Sequence, residues 1–94
     1  MIRCKSDVMY VEGPVTLHTV PDLIEEAAEH LSHVRSVDFS GATEVDSSAV
    51  ALALEWQRQA VARGAALELR SFPVAMQNLS RLYGVSELFE PVAR

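Results

Sequence analysis

Short apolar runs alternate with stretches of helical spacing along this chain. Runs at residues 8–11, 34–39 and 65–69 predict strands, and residues 2–5 are a candidate edge strand ahead of them. The first run is expected to end at Glu12-Gly13-Pro14, because glycine and proline interrupt strands. The polar residues after Phe39 predict a solvated loop, in which Ser40-Gly41 permits a turn.

Apolar residues at helical spacing predict a helix after each of the main strands. The first is expected to begin at Thr19 and to end near residues 30–33. Asp46 is suited to cap the second helix, which is expected to run to about Arg63 with Gly64 just beyond its end. A third helix is expected from about residue 73 to residue 84, and residues 85–91 predict a short helical turn.

Strands that alternate with helices at this spacing predict an α/β domain. The first two strands can pair as a hairpin, whereas the later ones must cross over through helices, so the sheet is expected to be mixed. A chain of 94 residues is long enough for one such domain, which we expect to span residues 1–94.

The charge balance narrows the classes of partner. Thirteen acidic residues against eight Lys and Arg give a net charge of -5, which argues against binding to nucleic acid or to an anionic lipid surface. No apolar run approaches the roughly 18 residues of a membrane span, and no secretory leader is visible. Cys4 is the single cysteine, which fits a reducing compartment. We therefore expect a cytoplasmic chain that inserts into no membrane.

The sequence contains no pattern that indicates catalysis. His18, His30 and His33 have no cysteine partner and form no HExxH pattern, so no metal site is expected. Neither a phosphate-binding glycine loop nor a Ser-His-Asp order is present. These observations predict a non-enzymatic chain without a cofactor.

Polar residues before the second helix form the first candidate site. They are Thr43, Glu44, Asp46, Ser47 and Ser48. Hydroxyl groups at a helix N-terminus suit a phosphate or a partner protein, because backbone N–H groups there lack partners within the helix. Glu44 and Asp46 would oppose a phosphate by charge repulsion. The simpler alternative is that these residues only cap the helix.

The second helix offers a further candidate surface. One face is expected to form the core stripe, and it holds Val50, Ala53, Leu54, Gln57, Ala60 and Val61. Leu52 and Trp56 fall beside this stripe as an i, i+4 pair. They are either exposed anchors for a partner protein or a margin that closes a wide core.

Three short segments resemble a known family. Residues 37–41 (Val-Asp-Phe-Ser-Gly) and 44–48 (Glu-Val-Asp-Ser-Ser), with Leu-Glu-Leu at 67–69 after the helix, are similar to the STAS domains of sulfate transporters and anti-sigma-factor antagonists. The resemblance implies a STAS-like mixed sheet of four to five strands, with three to four helices packed mainly on one face.

Two branches of the family imply different functions. The short chain and its tail most resemble the small cytoplasmic STAS subunit of the Mla phospholipid-transport ABC complex, which binds and supports the ATPase subunit and so helps to maintain outer-membrane lipid asymmetry. The alternative is an anti-sigma-factor antagonist, phosphorylated on Ser48 (or Ser47) by a kinase that is the anti-sigma factor. Ala49 departs from the glycine that this second branch usually has. Nucleotide binding has precedent in the family and is the third reading. Residues expected to contact the partner are Thr43, Glu44, Asp46, Ser47, Ser48, Leu52 and Trp56.

Overall fold

The computed structural model describes residues 1–89 of the chain. Its strands are β1 (Ile2–Lys5), β2 (Val8–Val15), β3 (Ser36–Val45) and β4 (Glu68–Arg70). Its helices are α1 (Val20–Ala27), α2 (Ser47–Ala62), α3 (Val74–Leu82) and α4 (Ser86–Phe89), with a 3-10 turn at Leu31–His33.

The four strands form one mixed sheet in the order β1-β2-β3-β4. β1 pairs with β2 in antiparallel fashion, whereas β2 with β3 and β3 with β4 are parallel pairs. This arrangement confirms the predicted mixed α/β sheet. Because Val15 pairs with Val45, β2 and β3 end at the same edge of the sheet, and α1 and α2 both begin there.

One face of the sheet carries the core. Met9, Val11, Val37 and Phe39 point into it from the two central strands and are fully buried. The helices contribute the other half of this core, mainly through Leu23, Ala27, Ala49, Leu52, Ala53, Trp56 and Met76. Burial of these side chains is the dominant stabilising term for a domain of this size.

The opposite face of the sheet is polar. One register row crosses all four strands through Arg3, Tyr10, Asp38 and Arg70. The Asp38 carboxylate accepts bonds from Arg70 Nε and Ser71 Oγ, each at 3.3 Å. Burial works to raise the pKa of Asp38, but its hydrogen bonds together outweigh burial and lower that pKa. Asp38, the first residue of the Asp-Phe-Ser segment, therefore has a structural role.

Two strands are longer than the sequence predicts. β2 continues through Gly13 and Pro14, and β3 continues through Ser40 and Gly41 instead of turning there. Both extensions result from the pairing of β2 with β3, which continues as far as Val15 and Val45. The pairing has two register shifts, and Gly13, which lies between them, has a φ of +85° that glycine adopts readily. A Cβ on Gly41 would lie 2.9 Å from Glu12 Cγ, so the close approach of the strands favours glycine there.

The C-terminal end of α2 lies where the sequence predicts it. Gly64 has a φ of +74°, and Gly64 N–H and Ala65 N–H donate to Val61 O and Ala60 O, both at 2.9 Å. Because Ala65 completes this helix end, β4 starts at Glu68 and not at residue 65 as predicted. α3 and α4 lie where helices were expected, and residues 90–91 of the predicted turn fall outside the described residues.

The first helix is shorter than predicted. α1 ends at Ala27, whereas the spacing predicted an end near residues 30–33. His30 N–H donates to Ala27 O and His33 N–H donates to His30 O, both at 2.9 Å, so the chain tightens into 3-10 geometry. This tightening buries Leu31 against the core.

Candidate functional site

The candidate site lies at the sheet edge where β2 and β3 end. There the turn of residues 16–19, which joins β2 to α1, lies beside Asp46, which joins β3 to α2. The parallel pairing places the two segments side by side although they are 29 positions apart in the chain. This edge therefore combines two loops with the N-termini of two helices.

Asp46 connects the two segments through both of its carboxylate oxygens. Oδ1 accepts from the Ser48 N–H at 2.8 Å, which caps α2 as the sequence predicts. Oδ2 accepts from the Leu17 N–H at 3.0 Å. The bond from Leu17 is the largest of the effects that lower the pKa of Asp46, so the side chain is ionised at neutral pH. One carboxylate thus fixes the start of α2 and the turn before α1.

Thr19 holds the same turn from its other side. Thr19 Oγ1 accepts from the Thr16 N–H at 2.9 Å and donates to Pro14 O at 2.8 Å. Thr19 therefore stabilises the turn instead of capping α1 with its side chain. Between these fixed points the Leu17 side chain is 69% exposed. A large apolar side chain is held in solvent by an ordered backbone.

The two hydroxyl groups at the start of α2 differ in exposure. Ser47 is exposed, Ser48 is half-buried and Ala49 is fully buried. Ser48 N–H donates to the Asp46 side chain, and Ala49 N–H donates to Asp46 O at 3.0 Å. Two of the first three backbone N–H groups of α2 thus already have acceptors within the chain. Few unpaired N–H groups remain at this helix end to bind a phosphate.

Thr43 and Glu44 lie near this edge but not in a loop. Both residues are exposed and belong to the last part of β3. Glu44 adds a second carboxylate close to Asp46 in the chain. The edge is consequently negative as well as polar.

Leu52 and Trp56 lie in the core, so their interpretation as exposed anchors for a partner is wrong, and the alternative of a wide core that includes them is correct. Each is only 2% exposed, and the Trp56 ring centroid lies 6.3 Å from that of Phe39. Conversely, Val61 was expected at the centre of the core and is 69% exposed. The buried residues of α2 are Ala49, Val50, Leu52, Ala53, Trp56 and Ala60. Val50, Ala53 and Ala60 of the predicted core stripe are thus buried as expected. A residue buried to this extent offers no docking surface in the folded chain.

Leu17 is a candidate site residue that the sequence pattern does not indicate. It stands just after a strand and before a helix, where an apolar residue attracts no special interpretation. The signal that identifies it is topological. Two parallel neighbouring strands, each followed by a helix, bring their following loops together at one edge.

A metal centre and a membrane span are two other kinds of feature that residues 1–89 do not show. This part of the chain contains no group of three or more His, Cys, Asp or Glu side chains placed to hold a metal ion. Nor is any of its helices long and apolar enough to cross a membrane.

Comparison with known proteins assigns the chain to a family. A search of the curated proteins finds no match. A family model with the description "Mlab, STAS domain" matches residues 2–90, which is nearly the whole chain. That extent agrees with the mixed sheet and with the helix that follows the Asp-Ser-Ser segment. The chain is a member of the STAS-domain family that this model describes.

Proposed function

We propose that this chain is the small STAS subunit of a Mla-type phospholipid-transport ABC complex. In this role it binds the ATPase subunit at the cytoplasmic face of the inner membrane and supports it, without catalysing a reaction itself. The family description supports the proposal, since it names an Mla-type STAS domain.

The ordered edge around Asp46 is the observation that carries this proposal. The backbone N–H groups of Leu17 and Ser48 both donate to the Asp46 carboxylate, so the two segments are ordered before any partner binds. A preordered surface loses little conformational entropy on binding, which suits a lasting contact between subunits. A Leu side chain in solvent also suits a protein partner better than a phosphate.

The second candidate is an anti-sigma-factor antagonist that is switched by phosphorylation of Ser48 or Ser47. The exposure of the Ser47 hydroxyl favours it. Against it stand the ionised Asp46 carboxylate beside Ser48 and the backbone N–H groups already bound to Asp46. A phosphate added at Ser48 would meet like charge with few free donors. We therefore rank this function second.

Affinity capture from the native cells separates the two functions. The tagged chain is expected to retain an ABC-type ATPase and its permease, identified by mass spectrometry. Recovery of a kinase-like anti-sigma factor, with a Ser48 phosphopeptide that follows growth state, would reverse the ranking.

Two variants at Ser47 test whether this residue belongs to the contact. Ser47→Ala removes one hydrogen bond and should weaken binding to the ATPase by about 0.5–1.5 kcal/mol. Ser47→Asp adds charge beside Glu44 and Asp46 and should weaken binding more. Equal affinity of wild type and Ser47→Asp in calorimetry would exclude Ser47 from the interface.

A further inference from the structure

A cavity of about 330 Å³ lies between the end of β4, α3 and α4. It is separate from the sheet edge around Asp46, because no residue of the turns before α1 and α2 lines it. Pockets that bind small molecules have volumes of about 300–1,000 Å³, and this cavity falls at the lower end of that range. Its size therefore suits one small organic molecule.

One side of the cavity is apolar and largely aromatic. Leu69 is buried, and Phe72 and Phe89 are half-buried. The centroid of the Phe72 ring lies 5.2 Å from that of Phe39 and 5.0 Å from that of Phe89, and both pairs meet edge to face. This packing fixes the aromatic wall before any ligand binds.

Ser80 is the most buried polar side chain of the cavity lining, at 1% exposed. Its Oγ donates to Met76 O at 2.9 Å, one turn earlier in α3. The hydroxyl hydrogen is therefore already used within the helix. An apolar group in the cavity would not leave this buried donor without a partner.

Arg81 also lines the cavity, and because it is exposed it lies where the cavity opens to solvent. Its guanidinium donates to two neutral acceptors, Asn78 Oδ1 at 2.9 Å and Gln77 Oε1 at 3.5 Å. Within residues 1–89 it has no carboxylate at ion-pair distance, although the chain is acidic. Four other arginines of these residues do pair with carboxylates: Arg3, Arg35, Arg58 and Arg70. A guanidinium in this position favours an anionic ligand, which it can hold through two parallel N–H groups.

The backbone beside the cavity is strained at Ser71. This residue follows β4 directly and has a φ of +62°, which residues with a side chain rarely adopt. Ser6 also has a positive φ, but it lies in the tight hairpin turn between β1 and β2, where such a φ is usual. No hairpin explains the φ of Ser71, whose Oγ donates to Asp38 Oδ2 at 3.3 Å. Backbone strain of this kind is often found at ligand-binding sites.

We propose that this cavity binds a small organic monoanion, namely a carboxylate with a short alkyl chain. The carboxylate pairs with the Arg81 guanidinium at the opening, and the alkyl chain lies against Leu69, Phe72 and Phe89. One guanidinium without a carboxylate partner matches one negative charge, which argues against a polyphosphate. The small volume argues against the two long chains of a phospholipid. This inference goes beyond the proposed function and does not depend on it.

Titration of the full chain with octanoate, followed by two-dimensional NMR of the backbone amides, is the direct test. The expected shifts lie in residues 69–72 and 77–89 and saturate with a dissociation constant of about 1 mM or tighter. Shifts that do not saturate, or that spread evenly over the chain, would overturn the proposal.

A pair of variants tests the role of charge. Arg81→Gln keeps a polar side chain but removes the cation, and it should weaken octanoate binding by about tenfold or more. Arg58→Gln is the matched control, because Arg58 is an exposed arginine that pairs with Glu55 at 2.6 Å on α2, and it should leave the affinity unchanged. Both variants should melt close to wild type, since both side chains are exposed. Equal octanoate affinity of Arg81→Gln and wild type would refute the assigned ion pair.

Four further probes define the class of ligand. Octanol lacks the charge and acetate lacks the chain, so each should bind much more weakly than octanoate, and equal binding of either would contradict the proposal. ATP that binds more tightly than octanoate would assign the cavity to nucleotides instead. Vesicles of phosphatidylglycerol should leave the amides of residues 69–89 unchanged, and shifts there would assign the cavity to membrane lipid. None of these outcomes bears on binding to the ATPase, so failure here leaves the proposed function standing.

Discussion

Replacement of Asp46 tests the feature on which the candidate site depends. Asp46→Ala removes the cap on Ser48 N–H, at 2.8 Å, and the bond from Leu17 N–H, at 3.0 Å. Loss of an N-cap costs about 1 kcal/mol, and loss of the second bond costs about 0.5–1.5 kcal/mol. The free energy of unfolding should therefore fall by about 2 kcal/mol. For a domain of this size that corresponds to a melting temperature lower by about 8–16 °C.

A second variant divides this loss between the two bonds. Asn caps helices about as well as Asp, but its side chain has a single acceptor oxygen. Asp46→Asn should keep the bond from Ser48 N–H and lose the one from Leu17 N–H, so its loss should be about half that of Asp46→Ala. Asp7→Ala is a suitable control, because Asp7 lies in the exposed turn before β2 and its ion pair with Arg35 is long, at 3.8 Å.

The pH dependence of stability gives an independent check. The pKa of Asp46 is lower in the folded chain than in the unfolded one, so its contribution is complete above the unfolded pKa of about 3.9. It disappears as the pH falls through the folded pKa. The stability gap between wild type and Asp46→Asn in urea unfolding should be constant from pH 5 to 7, and it should close below about pH 4. Variants that melt within 2 °C of wild type, or a gap that is flat down to pH 3, would refute the reasoning.

Three further predictions concern the rest of the fold, and urea unfolding measures each of them. Trp56→Ala should cost about 3–5 kcal/mol because it empties the core beside Phe39, whereas Val61→Ala should cost less than about 0.5 kcal/mol. Asp38→Asn should destabilise at pH 7 and progressively less as the pH falls below about 4, because its folded pKa is lowered. Gly41→Ala should destabilise by about 1 kcal/mol, because its Cβ would press on the Glu12 side chain. Equal stability of Trp56→Ala and Val61→Ala would contradict the buried face assigned to α2.

The residues near each end of α2 were sufficient to predict where the helix begins and ends, but the sequence did not predict which face of the helix is buried. The Asp46 cap and the Gly64 helix end depend on neighbouring residues only, and both predictions are confirmed. The buried face depends on what lies against the helix. Apolar residues occur nearly all around α2, so two faces looked suitable for the core. Contact with Phe39 selects the face that contains Trp56, and periodicity alone holds no information about that contact.

Strand lengths were missed because they depend on pairing partners. Polar residues at positions 40–44 indicate a loop when the chain is read locally. In the structure β4 pairs only with Ser36, Val37 and Asp38, so the rest of β3 has a strand on one side alone. A strand segment that has a neighbour on one side only can contain polar residues such as Thr43 and Glu44 without a cost in stability. The parallel ladder with β2 keeps the segment extended as far as Val45.

The capping role of Asp46 and its role at the candidate interface are not alternatives. The same carboxylate that starts α2 also fixes the turn that presents Leu17. If the proposed contact is correct, Asp46→Ala should therefore weaken partner binding even without a direct contact of Asp46, whereas Leu17→Asp should act on that contact and leave the helix intact. Such a dual role follows only from the parallel order of β2 and β3, which brings residues 17 and 46 together. That is why the Asp-Ser-Ser segment was visible in the sequence as a site, and its apolar neighbour became visible only in the fold.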